Sequence, residues 1–259
     1  MRYFIYFSYD GGNYHGWQFQ PDAVSVQSVL QDRLSTILRI PTDLTGAGRT
    51  DAGVNASEMV AHFDVSDAIS TDSLKVSLNR FLPPDISISK IVRVSNDAHA
   101  RFSATSRTYH YYLCQSKHPM LRHYCYTIHQ PLDFDLMNKA GEILLEYKDF
   151  TSFSKLHTDV KTNNCDVVKA EWHRVDNIPF CGDCRSIGLW EFEITSDRFL
   201  RNMVRAVVGT LLDVGRGVLD LDGFRRIIES KDRCSAGMSV PGNALFLAKV
   251  EYPEEIFKV

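Results

Sequence analysis

The residues best suited to chemistry lie in a glycine-rich segment at positions 46–54. One carboxylate, Asp51, stands there among glycine and alanine, and Arg49 precedes it by two positions. Glycine lets the backbone turn sharply or approach a ligand closely, and small neighbours leave space around the carboxylate. Such an Asp can serve as a nucleophile or as a general base. It could equally hydrogen-bond the amides of its own loop, and the segment alone leaves both roles open.

Two glycine patterns in this segment differ from nucleotide-binding loops at the residues that matter. Gly46 and Gly48 begin like a dinucleotide fingerprint, but Asp51 takes the place of the third glycine, where its charge would oppose a pyrophosphate. Gly48 and Gly53 have the spacing of a phosphate-binding loop, yet Val54-Asn55 replaces the Lys and Ser or Thr that should follow. The segment therefore argues against a nucleotide-dependent enzyme.

An aromatic residue, Tyr109, lies in an alternating stretch at 107–115 that predicts a β-strand. A tyrosine can stack on a nucleic-acid base, and its hydroxyl can relay a proton. Tyr109 could instead pack in the core beside Tyr111, two positions along the same predicted strand face. The pattern alone favours neither role.

A row of arginines accompanies a predicted helix at 199–214, with Gly215 expected just past its end as a C-cap. Arg198, Arg201 and Arg205 follow one another at spacings of three and four, which places them on about one helical face. Such a row could meet a phosphate backbone, or it could be an exposed helix edge.

Composition limits the classes of partner. The net charge of −3 argues against a protein that coats nucleic acid non-specifically, although residues 93–123 and 198–216 carry a local excess of Arg and Lys. No apolar run approaches the length of about 20 residues that is needed to span a bilayer. The N-terminus lacks the small residues of a signal-peptide cleavage site. We therefore expect a cytoplasmic protein with no membrane association.

The cysteines offer one possible metal site. Cys181-Gly182-Asp183-Cys184, together with Cys165 and His173, could bind zinc. A single pair at this spacing without a second pair is more often without a role, so we expect no metal. In a chain of this size the six cysteines are expected to be reduced.

The periodicity of the first half gives the order β-α-β-β-α-β, with helices predicted at 25–38 and 71–82. This order predicts a ferredoxin-like unit, in which two helices pack on one face of an antiparallel sheet. The second half repeats a loose strand–helix rhythm. We predict an α+β fold of two ferredoxin-like (RRM-like) units side by side, with domains at 1–103 and 104–259 and an active-site cleft between them.

The glycine-rich segment Gly48-Arg49-Thr50-Asp51-Ala52-Gly53-Val54 resembles the signature of the tRNA pseudouridine synthase A family. Further segments match that family's motifs in the same order along nearly the whole chain: Tyr9-Asp10-Gly11, Gly16-Trp17-Gln18, Ser25-Val26-Gln27, His99-Ala100-Arg101-Phe102-Ser103-Ala104, Arg107-Thr108-Tyr109-His110-Tyr111 and Phe199-Leu200-Arg201-Asn202-Met203-Val204-Arg205. One stretch departs from the family pattern: Ser239-Val240-Pro241-Gly242-Asn243 stands where an Ala-Pro-rich segment is usual.

The resemblance implies a homodimeric isomerase that converts uridine to pseudouridine in the anticodon stem-loop of tRNA, on the 3′ side of the anticodon. It implies no cofactor and no metal. Carried over by residue, Asp51 is the essential aspartate, Tyr109 stacks on the target base and Arg205 pairs with the aspartate.

Other residues carry less definite roles. Arg49 would help to extrude and hold the nucleotide, and Leu245 and Leu247 would line the apolar wall of the pocket. Arg198 and Arg201 remain candidates for tRNA contact.

A non-catalytic RNA-binding protein built from paired ferredoxin-like units is the alternative from a different class, because such units stack bases on aromatic residues of their sheets. Asp51 separates the two possibilities, since a phosphate binder gains nothing from a carboxylate between glycines.

Overall fold

The computed structural model describes residues 1–155, 162–178 and 182–259. The chain packs as two compact units, the first made of Met1–Ser106 with Leu247–Val259 and the second of Arg107–Phe246. The described residues form a mixed α/β fold that contains five α-helices. The predicted combination of helices with antiparallel and mixed sheet is therefore confirmed.

The strands are β1 (Arg2–Tyr9), β2 (Thr45–Gly46), β3 (Asn55–Asp64), β4 (Ile86–Val94), β5 (Ser106–Cys114), β6 (Tyr126–Thr127), β7 (Val167–Arg174), β8 (Asn177–Ile178), β9 (Gly182–Asp183), β10 (Leu189–Ser196) and β11 (Leu245–Glu251). The α-helices are α1 (Val26–Leu38), α2 (Thr71–Phe81), α3 (Phe134–Leu144), α4 (Met203–Gly215) and α5 (Leu221–Ser230).

In the first unit the strands lie in the order β4-β1-β3-β11, and the short β2 pairs with β3. β1 is antiparallel to both of its neighbours, with Ile5 opposite Ala61 on β3 and Ile91 on β4. The chain order strand-helix-strand-strand-helix-strand of residues 2–94 is confirmed.

The middle of β1 is buried on both faces, because the C-terminal segment covers it as well. The ring of Phe4 packs against Tyr252 at 5.0 Å and against Phe257 at 6.5 Å between centroids. The backbone N–H of Ser95 donates to the carbonyl of Ile256, which fixes the same segment to the end of β4. Residues at the very end of the chain thereby complete the core of the first unit.

Helix α1 begins directly after a capping residue, Ser25. The fully buried Ser25 accepts from the backbone N–H of Ser28 at 3.1 Å, and the Ser28 hydroxyl accepts from the N–H of Ser25. Two of the unpaired amides at the helix start are thus satisfied. Val26, Leu30 and Leu34 then recur every four residues and form the buried stripe of the helix.

In the second unit β5, β10 and β7 form an antiparallel ladder, and β6 adds to β5 in parallel. Helix α3 packs on β7 and contacts both α4 and α5. The predicted helix at 199–214 is wrong at its start, because α4 begins only at Met203. Asn202 has φ +66°, a left-handed conformation that a right-handed helix cannot contain. Gly215 is the last helical residue, and Arg216 is the C-cap.

No helix in the described part of the chain has the length and apolar character needed to cross a membrane.

A buried histidine holds the turn at 99–103 to the first unit's sheet. His62, on β3, accepts a hydrogen bond at its Nδ1 from the backbone N–H of Ala100 at 3.2 Å, and its ring lies 4.6 Å from that of His99. Burial lowers the pKa of His62 to about 4, and the nearby charges of Arg2 and His99 act in the same direction. The ring is therefore neutral near neutral pH, as its acceptor role requires.

Ser25→Ala is expected to lower the free energy of unfolding by about 1–2 kcal/mol, because the backbone N–H of Ser28 loses the hydroxyl that accepts its hydrogen bond. Urea denaturation measures this. Ser70→Ala is the matched control, since Ser70 is also an N-cap residue but its exposed side chain makes no cap hydrogen bond. We expect a change below about 0.5 kcal/mol there. Equal losses in the two variants would contradict the capping role.

Stability should fall as the pH is lowered from about 6.5 to about 4, because the unfolded state binds a proton at His62 that the folded state excludes. The contribution of His62 to stability is fully present above the pKa that it has in the unfolded chain. It is lost as the pH falls toward the pKa that it has in the folded protein. His62→Asn keeps an acceptor near the position of Nδ1 and cannot titrate, so its stability curve should be flatter than wild type over this range. Urea unfolding at a series of pH values gives both curves, and identical slopes would refute the assignment.

Candidate functional site

The glycine-rich loop joins the two strands of a hairpin, β2 and β3. Thr45 lies opposite His62 and Gly46 opposite Ala61, and the N–H of Ala47 donates to Val60 O at 2.7 Å. The loop is therefore held at its base by backbone hydrogen bonds between the two strands.

Asp51 occupies the first position of a tight turn within this loop. The N–H of Val54 donates to the carbonyl of Asp51 at 3.2 Å, and Gly53 has φ +75° at the third position. A positive φ at that position favours glycine strongly. The glycine two residues after the carboxylate is therefore a requirement of the turn that presents it.

A second segment, residues 9–17, clamps the loop along its length. The N–H of Gly53 donates to Tyr14 O at 3.2 Å, and the N–H of Gly11 donates to Asn55 Oδ1 at 2.8 Å. Gly16 has φ +87°, and a Cβ on it would overlap the carbonyl oxygen of Thr50. The two backbones approach so closely that only glycine fits at this contact.

The indole of Trp17 fills the space beside the start of the loop. A Cβ on Gly46 would collide with its ring, so glycine is required there too. The carbonyl of Trp17 accepts from the N–H of Gln27 at 2.9 Å in the first turn of α1, and that of Gly16 accepts from Val26 at 3.2 Å. The clamp is thus anchored to the start of a helix.

Inside the clamp, the hydroxyl of Thr50 is the polar centre. Thr50 is 9% exposed, and its Oγ1 accepts from the backbone N–H of Trp17 at 3.0 Å. The same oxygen lies 2.9 Å from the hydroxyl of Tyr9 at the end of β1. Neither partner could be anticipated from the loop sequence.

The residues on either side of Thr50 are less buried than Thr50. Asp51 is half-buried, Arg49 is exposed, and a Cβ added to Gly48 would have no atom within 4 Å. A half-buried carboxylate on a hydrogen-bonded turn can meet a substrate atom at a defined position. The loop has the form that either nucleophilic or general-base chemistry needs.

In the second unit, Tyr109 and Tyr111 occupy different environments on β5. Tyr111 is fully buried, and its hydroxyl donates to Pro241 O at 3.2 Å. Tyr109 is half-buried, and its ring meets that of Phe199 edge-on at 5.1 Å. Core packing thus describes Tyr111, whereas Tyr109 keeps part of its surface accessible.

Arg205 lies on α4 and is held by residue 240 from two sides. Its Nε donates to Val240 O at 2.7 Å, and the N–H of Val240 donates to the carbonyl of Arg205 at 3.2 Å. The Ser239-Val240-Pro241 stretch, which departs from the expected family pattern, is therefore the segment that orients this guanidinium. Both of these contacts with Arg205 use backbone atoms of Val240.

Further hydrogen bonds fix a longer segment that contains this stretch, residues 233–241, along α4. Asn202 and Arg233 both donate to the Ser239 hydroxyl, at 2.6 and 2.9 Å. The N–H of Gly237 donates to Thr210 Oγ1 at 2.9 Å, and a Cβ on Gly209 would overlap the carbonyl of Met238.

Arg198 and Arg201 are not on the helix that carries Arg205, so the predicted row of three on one helical face is wrong. They lie in the irregular stretch before α4. Arg198 is half-buried near Cys165, a thiol whose pKa burial raises to about 12 and the arginine lowers in part. Arg201 is exposed, and its carbonyl accepts from the N–H of Lys155 at 3.0 Å.

The two leucines predicted to line an apolar wall share one face of β11, where they occupy alternate positions and are buried. Leu245 falls in the second unit and Leu247 in the first. Of the other predicted residues, the first unit holds Asp51 and Arg49, and the second holds Tyr109, Arg198, Arg201 and Arg205.

The cysteine group that could bind zinc, although no metal was expected there, includes Cys181, which lies outside the described residues. Cys184 is buried in an apolar cluster with Cys114, Leu121, Cys125 and Leu189. His173 approaches Glu193 at 3.7 Å. In the parts of the chain that the structure describes, His, Cys, Asp and Glu form no group of three or more that could hold a metal ion.

Comparisons with known proteins agree with the motifs. A family model described as tRNA pseudouridine synthase matches residues 147–253. A Bacteroides fragilis protein named tRNA pseudouridine synthase A is 58% identical over 259 residues, covering 100% of this chain and 99% of the relative. Proteins of the same name from Porphyromonas gingivalis and Acetivibrio thermocellus are 52% and 38% identical, covering 99% and 94% of this chain and 99% and 96% of those relatives.

Gly16→Ala is expected to lower the free energy of unfolding by at least about 2 kcal/mol, because a positive φ and an overlap with the Thr50 carbonyl both oppose a side chain. Gly48→Ala is the matched control in the loop itself, where nothing lies within 4 Å of the added Cβ. Its change should stay below about 1 kcal/mol. Denaturant unfolding compares the two, and a tolerant Gly16 would contradict the clamp.

Proposed function

This chain belongs to the tRNA pseudouridine synthase A family, and we propose that it isomerises uridine to pseudouridine in tRNA with Asp51 as its catalytic carboxylate. The relatives that carry this name match it over almost their full length. The observation that supports Asp51 is its place, half-buried, at the first position of a turn that residues 9–17 clamp.

The reaction defines what the carboxylate must do. The C1′–N1 bond of the nucleoside breaks, the uracil turns, C1′ joins C5, the proton of C5 leaves, and N1 gains a proton. Positive charge develops at C1′ and negative charge on the uracil, so an ionised carboxylate next to the sugar either attacks C1′ or removes a sugar proton. Both routes need one well-aimed carboxylate oxygen.

The base must leave its helical stack before it can turn, which calls for an aromatic surface and a cationic group. We assign stacking on the target base to Tyr109, whose ring is partly accessible, since base–aromatic stacking is worth about 1–3 kcal/mol. We assign to Arg49, exposed beside the open space at Gly48, the role of holding the extruded nucleotide.

Arg205 is assigned as the cationic partner of the carboxylate. A guanidinium pairs with carboxylates in a planar, directed manner, and the hydrogen bond from Nε to Val240 limits its orientation. Leu245 and Leu247 are proposed for the apolar wall, and Arg198 and Arg201 for tRNA phosphates.

Action on the 3′ side of the anticodon and a homodimer are proposed from the family resemblance. A cytoplasmic location and two ferredoxin-like units are proposed from the sequence pattern. For the first unit, the strand order β4-β1-β3 with β2 beside β3 supports the ferredoxin-like topology. A non-catalytic RNA-binding role is not favoured, because the clamped glycine loop of that unit carries a carboxylate, which a phosphate binder does not need.

Asp51→Ala should abolish release of tritium from unmodified tRNA labelled at uracil C5, by a factor of about 10³ or more, because the reacting carboxylate is lost. The assay uses the full chain with a chelator present and with no added cofactor, conditions in which wild type should release tritium. Asp67→Ala, at an exposed carboxylate before α2, is the control and should match wild type. Release by the Asp51 variant at the wild-type rate would refute the assignment.

A further inference from the structure

We propose that Thr50 is a positioning residue for Asp51, and that its hydroxyl, held by Trp17 and Tyr9, sets the direction of the neighbouring carboxylate. This inference rests on the proposed role of Asp51 in the isomerisation. It assigns a function to Thr50, Trp17 and Tyr9, none of which is proposed to contact the substrate.

The first support is the contrast between neighbouring side chains. Thr50 is nearly buried, whereas Asp51 is half-buried and Arg49 is exposed. Only one peptide unit separates the Cα of Thr50 from that of Asp51, and that unit is planar. Fixing the side chain of Thr50 inside the clamp therefore restricts the backbone from which the carboxylate projects.

The second support is that the two partners of the hydroxyl come from different elements. The amide of Trp17 leads into α1 and lies 3.0 Å from Thr50 Oγ1, whereas Tyr9 ends β1 and its hydroxyl lies 2.9 Å away. A hydroxyl has one donor and two acceptor sites, so Oγ1 can serve both partners at once. Contacts from two directions fix its position better than either alone.

The third support is the place of Tyr9 at the end of β1. Tyr9 lies opposite Ala56, near the start of β3, where the chain has just left the loop. The buried ring of Tyr9 stacks near Phe7 at 6.1 Å, and its hydroxyl lies 2.9 Å from Thr50 Oγ1. The last residue of β1 thus places its hydroxyl at the loop.

A shift of about 1 Å in a reacting group can cost as much as 100-fold in rate, whereas tRNA affinity is spread over many phosphate contacts. Loss of the Thr50 hydroxyl should therefore reduce kcat while leaving KM and tRNA binding nearly unchanged. A role limited to stability would lower the active fraction and the melting temperature without this dependence on the hydroxyl.

The test compares full-length Thr50→Val, Thr50→Ser and Tyr9→Phe in the tritium-release assay, with kcat and KM from initial rates. Valine is close in shape to threonine and lacks the hydroxyl, so we expect kcat to fall about 10- to 100-fold with KM within about threefold of wild type. Serine keeps the hydroxyl and should restore kcat to within about threefold. Tyr9→Phe should lose about 3- to 10-fold, and adding it to Thr50→Val should cause little further loss, because the two changes break one interaction.

Thr42→Val is the matched control, since Thr42 is a buried threonine of the same unit whose hydroxyl donates to Ile40 O away from the loop. It should melt at a temperature close to that of Thr50→Val and keep the wild-type kcat. Wild-type kcat in both Thr50→Val and Tyr9→Phe would overturn the proposal, as would failure of serine to rescue. If Thr50→Val does not fold, the kcat of Tyr9→Phe decides alone.

Asp51→Ala in the same assay separates this inference from the proposed function. An active Asp51→Ala would refute the catalytic assignment itself. An inactive Asp51→Ala together with fully active Thr50→Val and Tyr9→Phe would refute only the positioning role.

Discussion

The close approach of residues 9–17 to the Asp51 loop is the constraint on which the rest of the candidate site depends. Two backbones come into contact at Gly16 and Thr50, and a second glycine, Gly46, leaves room for the ring of Trp17. Hydrogen bonds then pair the amides and hydroxyls that this contact buries, as buried polar groups require. The carboxylate can be rigid because its loop has no freedom to move independently of β1 and α1.

In the second unit, Arg205 is restrained in a different way. Arg205 is long and flexible, and a guanidinium free to rotate would give little direction to a partner charge. The stretch at 233–241 runs along α4, and the backbone carbonyl of Val240 accepts a hydrogen bond from the Nε of Arg205. Because the restraint uses main-chain atoms, the segment can depart from the usual sequence pattern and still orient the arginine.

Contacts between residues that are distant in sequence also complete the first unit. The C-terminal residues cover Phe4, and His62 binds the turn at 99–103 through an acceptor nitrogen that must stay neutral. Burial favours that neutral form by lowering the pKa of His62. The motif that begins at His99 therefore has a structural role in closing the unit, whatever contact its exposed residues make.

Local features of the sequence determined the helices and strands of the first unit, because their signals are contained in one turn or one alternating run. Ser25 with the stripe at 26, 30 and 34 defined α1, and the glycine loop identified Asp51 as the residue to examine. The start of α4 was misjudged, since apolar residues at 199 and 200 continue the helical pattern while Asn202 adopts a left-handed conformation. That conformation goes with a hydrogen bond to Ser239, which lies far along the chain.

Tertiary structure alone decided what holds the candidate residues. The partners of the Thr50 hydroxyl are 41 and 33 residues away, and the carbonyl that fixes Arg205 is 35 residues away. Nothing in the loop or the helix marks these partners, because a backbone amide or carbonyl has the same chemistry at every position and the Tyr9 hydroxyl lies far along the chain. The sequence by itself therefore named the candidate side chains, and only folding determined what holds each one.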